Sequence, residues 1–254
     1  MDLGLTGKRV FISASVRGIG FATADVFMAE GANVIINGRD PKHLDSAAKI
    51  LEERHNRKPY IFLGDMQADD DIKRLKNKLN TGLDIFVANL GCGKAESNNF
   101  LNVEEWNRFY DVNVISTVKI LDNIHSILKR SEQPSVVLIS SVVSKEASSA
   151  PIGYAAAKSG VRVLNKYLSR KWAVDGIRVN CVLPGNIYFK GGRWEELVEQ
   201  DENGVREYIH STVPMKRFGT PEEIADSVVF LSSPKSGFTT GAEVVVDGGQ
   251  LGTI

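Results

Sequence analysis

The sequence from Lys8 to Gly20, KRVFISASVRGIG, decides the fold. It is an apolar run that ends in a turn with two glycines, and a helix-like pattern follows from Phe21 to Glu30. The apolar run predicts a buried β-strand, and the turn leads directly from that strand into a helix. A strand–turn–helix unit of this kind is the repeating element of α/β proteins.

The same alternation continues along the chain. Seven short runs are rich in Val and Ile and nearly continuously apolar: Lys8–Ser13, Ala32–Asn37, Pro59–Leu63, Leu83–Ala88, Ser135–Ser140, Ile177–Val182 and Glu243–Val246. Such runs are typical of parallel strands that are covered on both faces. Between them, Asp40-Pro41 and the capping box Thr220–Glu223 mark helix starts. We therefore predict a single α/β domain over residues 1–254, a doubly wound parallel sheet of about seven strands with helices on both faces.

One stretch interrupts the alternation. The residues from Tyr188 to Met215 carry no strand signal, contain three glycines and include a mixed-charge, helix-like segment around Trp194–Gln200. The stretch follows Pro184-Gly185, which comes directly after the sixth strand-like run. Ligands of open parallel sheets bind at the carboxyl ends of the strands, so we predict that residues 188–215 form a mobile lid over a binding cleft.

The composition excludes several function classes. The chain has 254 residues, 43% of them hydrophobic, and 31 basic residues balance 31 acidic ones. This balance gives no support to a nucleic-acid partner or a polybasic membrane anchor. No apolar run approaches the ~20 residues that span a bilayer. Two cysteines, Cys92 and Cys181, cannot build a disulfide framework, so we expect a cytoplasmic protein.

The histidines give no indication of a metal site. They are His43, His55, His125 and His210, and their spacing matches no common set of metal ligands. We therefore expect no bound metal.

The turn at Ser13–Gly20 has two interpretations. A glycine turn between the first strand and the first helix places backbone amides and the positive end of a helix dipole beside a pyrophosphate. However, only Gly18 and Gly20 remain of the three-glycine dinucleotide fingerprint, so a plain structural turn is the alternative.

A stronger indication of chemistry lies further along the chain. Tyr154 and Lys158 are four residues apart in a helix-like run, so they share one helix face about 6 Å apart along the axis. A lysine ammonium near a phenol favours the phenolate, so we expect a lowered pKa of Tyr154. Ser141 follows the apolar run that ends at Ile139, which puts it at the carboxyl end of a strand. A surface tyrosine with a solvated lysine would be the alternative for the Tyr–Lys pair alone.

Together these features resemble the short-chain dehydrogenase/reductase family, in the branch with a Ser–Tyr–Lys–Asn tetrad and close to its 3-oxoacyl-reductase-like members. The resemblance covers nearly the whole chain. The matching positions are Ser13–Gly20, Ala88–Gly91, Asp111–Val114, Ser141, Tyr154, Lys158, Pro184-Gly185 and Val246–Gly249. Two departures stand out: Ala14 replaces the first glycine of the loop, and Phe189 stands where the family often has a threonine that contacts the cofactor.

The resemblance implies a role for each tetrad residue. Tyr154 is expected to be the general acid/base, and Ser141 to hydrogen-bond the substrate oxygen, so that these two residues form the substrate contact. Lys158 is expected to lower the pKa of Tyr154 and to bind the nicotinamide ribose. Asn113 is expected to hold a water that links Lys158 to solvent.

The resemblance also implies a set of cofactor-binding residues. They are Ser13, Ser15, Arg17, Gly18, Ile19, Gly20, Arg39, Asp65, Met66, Asn89, Gly91, Tyr154, Lys158, Pro184 and Ile187. Among them, Asp65 follows the third strand and is expected to accept a hydrogen bond from adenine, with an ordinary loop acid as the alternative.

The end of the second strand bears on the choice of cofactor. Sites specific for NAD place an acid there to bind the ribose 2′-hydroxyl. Here the position is Gly38, Arg39 follows it, and Arg17 in the glycine turn offers a second cation for a 2′-phosphate. Asp40 is the competing candidate, but Asp40-Pro41 is typical of a helix cap. We predict a preference for NADP(H), with NAD(H) possible.

The predicted function is therefore hydride transfer between NAD(P) and a carbonyl or secondary alcohol. One alternative is a cofactor-binding regulator of the same fold without turnover, and another is a sugar-nucleotide epimerase or dehydratase of the extended branch. Within the enzymes, a sugar or polyol dehydrogenase is the alternative to a 3-oxoacyl or ketone reductase. The fold does not choose the substrate.

Two long helical patterns predict self-association. Between Glu104 and Lys129, apolar residues cover about 180° of the helix, wider than the ~100° stripe of a one-sided surface helix. The helix that carries Tyr154 repeats the pattern as far as Trp172. Because exposed apolar patches mark interfaces, we predict a homotetramer, with coverage by the chain's own loops as the alternative. Ile124 lies in this apolar arc and is predicted to contribute to the interface.

Overall fold

A computed structural model describes residues 2–96, 101–146 and 150–252. Seven parallel strands form one sheet. In chain order they are β1 Arg9–Ile12, β2 Asn33–Gly38, β3 Tyr60–Leu63, β4 Ile85–Ala88, β5 Ser135–Ile139, β6 Arg178–Pro184 and β7 Glu243–Val246. Their spatial order is β3-β2-β1-β4-β5-β6-β7. The predicted fold class is confirmed, and each strand begins and ends within two residues of its predicted bounds.

Nine α-helices connect and cover the strands in the part of the chain that is described. They are α1 Gly18–Ala29, α2 Pro41–His55, α3 Asp69–Leu79, α4 Val103–Tyr110, α5 Ser116–Leu128, α6 Ile152–Lys171, α7 Arg193–Gln200, α8 Glu202–Thr212 and α9 Pro221–Ser232. The sequence caps explain two of the starts. Asp40 accepts a hydrogen bond from the His43 amide and begins α2, and Thr220 with Glu223 forms the complete capping box of α9.

β1 and β4 are neighbours in the sheet. From β1 the strand order continues to β2 and β3 on one side, and from β4 it continues to β5, β6 and β7 on the other, so the order reverses between β1 and β4. In open α/β sheets the crevice at such a switch point binds the ligand. The glycine turn after β1 and the loop after β4 both lie at this point, and the loop after β5 lies next to it. The fold therefore brings Ser13–Gly20, Asn89–Gly91 and Ser141 to the same edge of the sheet.

Two apolar clusters bury both faces of the central strands, whereas three of the four residues of the edge strand β3, Tyr60, Ile61 and Leu63, are exposed because no strand or helix covers them fully. One cluster centres on Phe27, Ile36, Val137 and Val228, and the other on Phe11, Phe86, Leu121, Val136 and Leu183. The central strands contribute alternate residues to the two clusters, which explains their nearly continuous apolarity. A helix that crosses a membrane would need a long apolar stretch, and no helix of the described residues has one.

The long helix predicted from Glu104 to Lys129 is interrupted. Between α4 and α5, the segment Asp111–Ile115 is a π-helix, and the Ser116 amide donates to the Asp111 carbonyl five residues earlier. The extra residue per turn rotates the helix face at this point. A regular spacing of 100° per residue therefore does not describe the apolar face of the whole segment.

The apolar arc of α5 is largely covered within the chain, which corrects part of the argument for self-association. The buried members are Ile120, Leu121, Ile124, Ile127 and Leu128. They pack in the core against the sheet because α5 lies flat on it. Ile124 is 0% exposed, so the prediction that it contributes to an interface is wrong: a lysine there would disrupt the core. Val118, by contrast, is 40% exposed.

Residues 188–215 contain two short helices, α7 and α8, as the absence of a strand pattern predicts. They fold around an aromatic cluster in which the ring of Trp194 lies 5.7 Å from that of Tyr208 and 5.1 Å from that of Phe218. The indole of Trp194 is therefore packed partly within this segment.

Candidate active site

The glycine turn after β1 has an unusual backbone that its sequence explains in part. Ala14 adopts φ +51° and Gly18 φ +54°, in the left-handed region that glycine enters most readily. Gly20 has no room for a side chain, because a Cβ there would lie 2.5 Å from Asn89 Nδ2 and 2.6 Å from the Ala14 carbonyl oxygen. Ala14, Gly18 and Gly20 thus meet the three needs of a dinucleotide-binding turn: the tight turn itself, the close approach of the backbone to a ligand, and the packing of the following helix.

Buried polar side chains hold this turn in place. Asn37, at 2% exposed, accepts a hydrogen bond from the Ala14 amide at 3.0 Å and donates to the carbonyls of Phe62 and Gly64. It therefore joins the turn to the ends of β2 and β3. The sequence analysis missed this residue, although an asparagine inside the apolar run NVIING was the available signal.

The side chains of Ser13 and Ser15 hold the turn from within. Both are 0% exposed. The Ser13 hydroxyl accepts from the amides of Asn89 and Leu90, and the Ser15 hydroxyl donates to the Ile12 carbonyl while it accepts from the Asn37 amide. Because these bonds occupy the hydroxyls, direct cofactor contact by the two side chains is not supported, and the serines shape the turn instead.

The Ser–Tyr–Lys group is assembled as the spacing predicts. Ser141 follows β5, and Tyr154 and Lys158 lie one turn apart on α6. The hydroxyls of Ser141 and Tyr154 are hydrogen-bonded to each other. Lys158 is 3% exposed, its Nζ donates to the Ile139 carbonyl at 2.9 Å and lies 5.8 Å from the centre of the Tyr154 ring.

Burial changes the ionisation of both groups, and it overturns the expected direction for the phenol. Desolvation raises the pKa of Tyr154 to about 12, although the hydrogen bond from Ser141 lowers it in part. Desolvation also lowers the pKa of Lys158 to about 8. Both charged forms are disfavoured because Lys158 is almost fully buried and Tyr154 is half-buried, and this desolvation outweighs the attraction of the ammonium for a phenolate.

Asn113 lies in the π-helical segment and is 1% exposed. Its side chain bonds the backbone of Cys92 in both directions: Nδ2 donates to the Cys92 carbonyl at 3.0 Å and Oδ1 accepts from the Cys92 amide at 3.2 Å. A Cβ at Gly91 would lie 2.9 Å from Asn113 Oδ1 and 3.0 Å from Lys158 Nζ. Asn113, Gly91 and Lys158 are therefore adjacent, and a side chain at position 91 would cover the ammonium.

The remaining predicted cofactor residues lie around the same edge. Asp65 follows β3 and accepts from the Gln67 amide at 2.9 Å. The side chain of Met66 is 1% exposed and packs in the core, so only its backbone can face a cofactor. Pro184 ends β6, and Ile187 pairs with Gly219 in a short parallel bridge. Ile19 begins α1 beside Gly18.

At the end of β2, the geometry leaves little room for an acid. A Cβ at Gly38 would lie 2.6 Å from Val16 Cγ1, so a carboxylate side chain does not fit there. Asp40 is occupied as the cap of α2, and the hydrogen bond from the His43 amide is the main cause of the lowered pKa of its carboxyl. Arg39, which follows β2, and Arg17, in the glycine turn, are both exposed.

Comparisons with known proteins agree with this arrangement. A family model described as enoyl-(acyl carrier protein) reductase matches residues 13–250. The 3-oxoacyl-(acyl-carrier-protein) reductase FabG of Chlamydia muridarum is 31% identical over 253 residues, covering 98% of this chain and 100% of the relative. The chain belongs to the short-chain dehydrogenase/reductase family. It is an oxidoreductase that transfers a hydride between a nicotinamide cofactor and a carbonyl or alcohol, and a regulator without turnover is not favoured.

Members of the family with other substrates are equally similar to this chain. A glucose 1-dehydrogenase of Gluconobacter oxydans is 33% identical over 248 residues, covering 96% of this chain and 91% of the relative. The solved L-sorbose reductase of Gluconobacter frateurii, a complex with NADPH and L-sorbose, is 27% identical, covers 100% of both chains and has a TM-score of 0.92. The fold is thus similar to that of a sugar reductase over the whole chain.

The residues present fit a dinucleotide. The turn offers the backbone of Gly18–Gly20, Gly91 has no side chain that would cover the Lys158 ammonium, and Ser141 and Tyr154 lie at the adjoining strand end. Within residues 2–96, 101–146 and 150–252, no three His, Cys, Asp or Glu side chains are grouped so that they could hold a metal ion.

Proposed function

We propose that the protein is an NADPH-dependent reductase of small polyhydroxylated carbonyl compounds, with Tyr154 as the proton donor. The observation that carries the proposal is the hydrogen bond between Ser141 and the half-buried Tyr154, next to the buried Lys158. In this proposal Ser141 and Tyr154 bind the substrate oxygen, and Lys158 and Asn113 complete the tetrad. The reduced nicotinamide supplies the hydride when it is bound.

The ionisation of the site favours the reductive direction. Because burial raises the pKa of Tyr154 to about 12, the phenol keeps its proton at neutral pH and can donate it to a developing alkoxide. The Ser141 hydroxyl, within hydrogen-bonding distance of the same phenol, can donate to that oxygen as well. Lys158, with a pKa of about 8, is largely protonated at neutral pH and offers its ammonium to a ribose hydroxyl.

The preference for NADP(H) rests on the rim at the end of β2. Gly38 excludes an acid there, Asp40 is used as a helix cap, and Arg39 and Arg17 are exposed cations that suit a 2′-phosphate. We expect kcat/KM to be higher with NADPH than with NADH. The variant Arg39→Gln should lower kcat/KM for NADPH roughly tenfold. Lys42 is a nearby exposed cation on α2, and Lys42→Gln should leave kcat/KM for NADPH unchanged. A clear NADH preference of the wild type would contradict the proposal.

The substrate class rests on the relatives and on the charges of the lid. A glucose dehydrogenase and a sorbose reductase cover nearly the whole chain. Arg193 and Lys94 share the single carboxylate of Glu196, which balances one of their two positive charges and engages both cations, so neither is a free partner for an anionic substrate. NADPH oxidation with ketohexoses, aldohexoses and a 3-oxoacyl thioester separates the classes. A thioester reduced far faster than every sugar would favour the second candidate, a 3-oxoacyl reductase like the Chlamydia relative.

A homotetramer remains part of the proposal, on a smaller surface than the sequence suggested. Ile115 and Val118 of the α4–α5 segment and Val163 and Tyr167 of α6 are exposed apolar residues, Tyr167 at 74%. Light scattering should give about four times the chain mass of 27.8 kDa, and Tyr167→Lys should lower it. A monomer mass for the wild type excludes the assembly.

Two free cysteines agree with the proposed cytoplasmic location.

A further inference from the structure

The first turn of the lid lies directly on the glycine turn. A Cβ at Gly18 would be 2.7 Å from Phe189 Cε2, 2.8 Å from Cζ and 3.0 Å from Cδ2, so the edge of the Phe189 ring is in van der Waals contact with this glycine. On the other side, a Cβ at Gly192 would be 3.0 Å from two atoms of the same ring. The ring is thus held between Gly18 of the cofactor turn and Gly192, which caps α7.

A second contact joins the same two segments. A Cβ at Gly191 would be 3.1 Å from Arg17 Nη1, so the cation next to Gly18 also lies against the lid. The two residues before Phe189 are fixed, because Ile187 pairs with Gly219 and the Tyr188 amide donates to the Gly219 carbonyl at 3.0 Å. After Lys190 the chain continues with the pair Gly191-Gly192, and Gly191 has φ +76°. The Gly192 amide donates to the Phe189 carbonyl at 3.0 Å and the Gly191 amide to the Glu195 carboxylate at 2.7 Å, so Phe189 is tied to the start of α7.

A pyrophosphate on the glycine turn needs the space that the ring occupies. No capping side chain accepts a hydrogen bond from the amides of the first turn of α1, so these donors are available to an anion. The glycine at position 18 is the one that lets a ligand come close to this backbone. A phenyl edge in contact with the same glycine and a phosphate on the same amides exclude each other.

We propose that Phe189 is the gate residue of the cofactor site and couples cofactor binding to the lid. The ring leaves Gly18 when a pyrophosphate binds, and because the ring also packs on Gly192, the start of α7 moves with it. Molecules in which the ring lies on Gly18 cannot bind the dinucleotide, so the ring lowers the apparent affinity of the protein for the dinucleotide. The proposal concerns residues outside the tetrad and rests on the dinucleotide site, not on the substrate class.

The decisive experiment compares binding, not turnover. Calorimetry with NADPH and with 2′-phospho-ADP-ribose, which has the pyrophosphate but no nicotinamide, gives Kd for the wild type, Phe189→Ala and Phe189→Leu. We expect Phe189→Ala to bind both probes roughly three- to tenfold more tightly, with a faster association rate in stopped-flow measurements, and Phe189→Leu to lie between. Binding of 2′-AMP, which has no pyrophosphate, should be the same in all three proteins.

Two controls keep the outcomes distinct. Phe230→Ala removes a half-exposed phenyl ring from α9 and should leave all three affinities unchanged. Thermal melting verifies that each variant is folded. If Phe189→Ala does not fold, Phe189→Leu takes its place, because leucine retains apolar contact with the core. An unchanged or weaker affinity of the folded Phe189 variants overturns the gate. Failure of the wild type to bind NADPH would instead contradict the proposed cofactor.

The coupling to the lid has its own readout. Trp194 is the tryptophan of α7, so its emission reports on the lid, and Trp194→Phe identifies its share of the signal. Addition of 2′-phospho-ADP-ribose should change this emission in the wild type, and Phe189→Ala should reduce the change at least twofold. An equal change in both proteins would show that the ring does not transmit binding to α7.

Discussion

The cofactor turn and the lid are held by opposite kinds of contact. At the turn, Asn37, Ser13 and Asn89 are bonded to backbone groups in the interior, and Asn37 and Ser13 are almost inaccessible to water. In the lid, the ion pairs of Glu196 with Lys94 and Arg193 are about half exposed. Buried bonds are costly to break, whereas exposed ion pairs contribute little and are screened by salt.

The difference separates two tasks. The turn, Ser141 and α6 hold the reacting groups in one geometry, which lowers the reorganisation needed during the reaction. Aromatic contacts and surface charges attach α7 to its neighbours, and we propose that residues 188–215 act as a lid that changes position at small cost. We expect substitutions in the first region to damage stability or chemistry, and substitutions in the second to change access and KM.

The largest effect is expected at Lys158. Lys158→Met removes the ammonium but keeps an unbranched chain in the buried site, so the fold should persist. Turnover should fall roughly 10²–10⁴-fold, and NADPH affinity should fall as well, because the ammonium serves both the phenol and the ribose. Activity assays and calorimetry test the two effects separately. Normal NADPH affinity in this variant would remove Lys158 from the cofactor site.

A large effect on stability is expected at Asn37. Asn37→Ala leaves the Ala14 amide and the carbonyls of Phe62 and Gly64 buried without this partner. The free energy of unfolding should fall by about 3 kcal/mol. Urea unfolding checks this value, with Asn123→Ala, a half-buried asparagine on α5, as the control that should change it by less than about 0.5 kcal/mol. An equal loss in both variants would mean that the network has no special role.

The pH dependence of reduction follows from Lys158. Burial lowers the pKa of its ammonium from 10.5 to about 8, so the charged form is present below pH 8 and is lost as the pH rises through that value. We expect kcat/KM for reduction to fall about tenfold per pH unit above pH 8. The phenol of Tyr154, with its pKa raised to about 12, stays protonated over this range. The variant Cys92→Ser should show the same fall of kcat/KM above pH 8. Loss of this fall in the variant would show that Lys158 is not its source.

The smallest effect is expected at the lid ion pairs. Glu196→Gln breaks the contacts to Lys94 and Arg193, which join α7 to the loop after β4. Melting temperature should hardly change, because the groups are exposed, but substrate KM should rise roughly two- to threefold and lose its dependence on salt. Glu199→Gln, on the same helix, makes the same charge change and serves as the control. A salt dependence that persists in Glu196→Gln would exclude the ion pairs as its source.

Much of the architecture could be predicted because its causes are local. Val- and Ile-rich runs are consistent with buried parallel strands, and Asp40 and Thr220 mark helix starts through bonds to residues three positions away. The four-residue spacing of Tyr154 and Lys158 places them on one helix face. The position of Ser141 after a strand predicts that it lies at the same edge of the sheet.

The features that could not be predicted depend on contacts between distant segments. The π-helical segment places Asn113 against Cys92, which is 21 residues away, and no periodicity indicates such a contact. The pKa of Tyr154 is set by burial, which spacing does not reveal, so its predicted direction was wrong. Likewise, the contacts that α5 makes with the sheet decide which of its apolar residues are exposed, and Ile124 is not one of them.

The central claim is that a preformed Ser141–Tyr154–Lys158 site reduces a carbonyl with a proton from Tyr154. Single-turnover reduction by Tyr154→Phe, with NADPH affinity measured on the same protein, tests it most directly, because the substitution removes the hydroxyl and leaves the half-buried ring in place. We expect the rate of NADPH oxidation to fall roughly 10²–10⁴-fold while Kd for NADPH changes by less than about threefold. A near-normal rate in this variant would contradict the account.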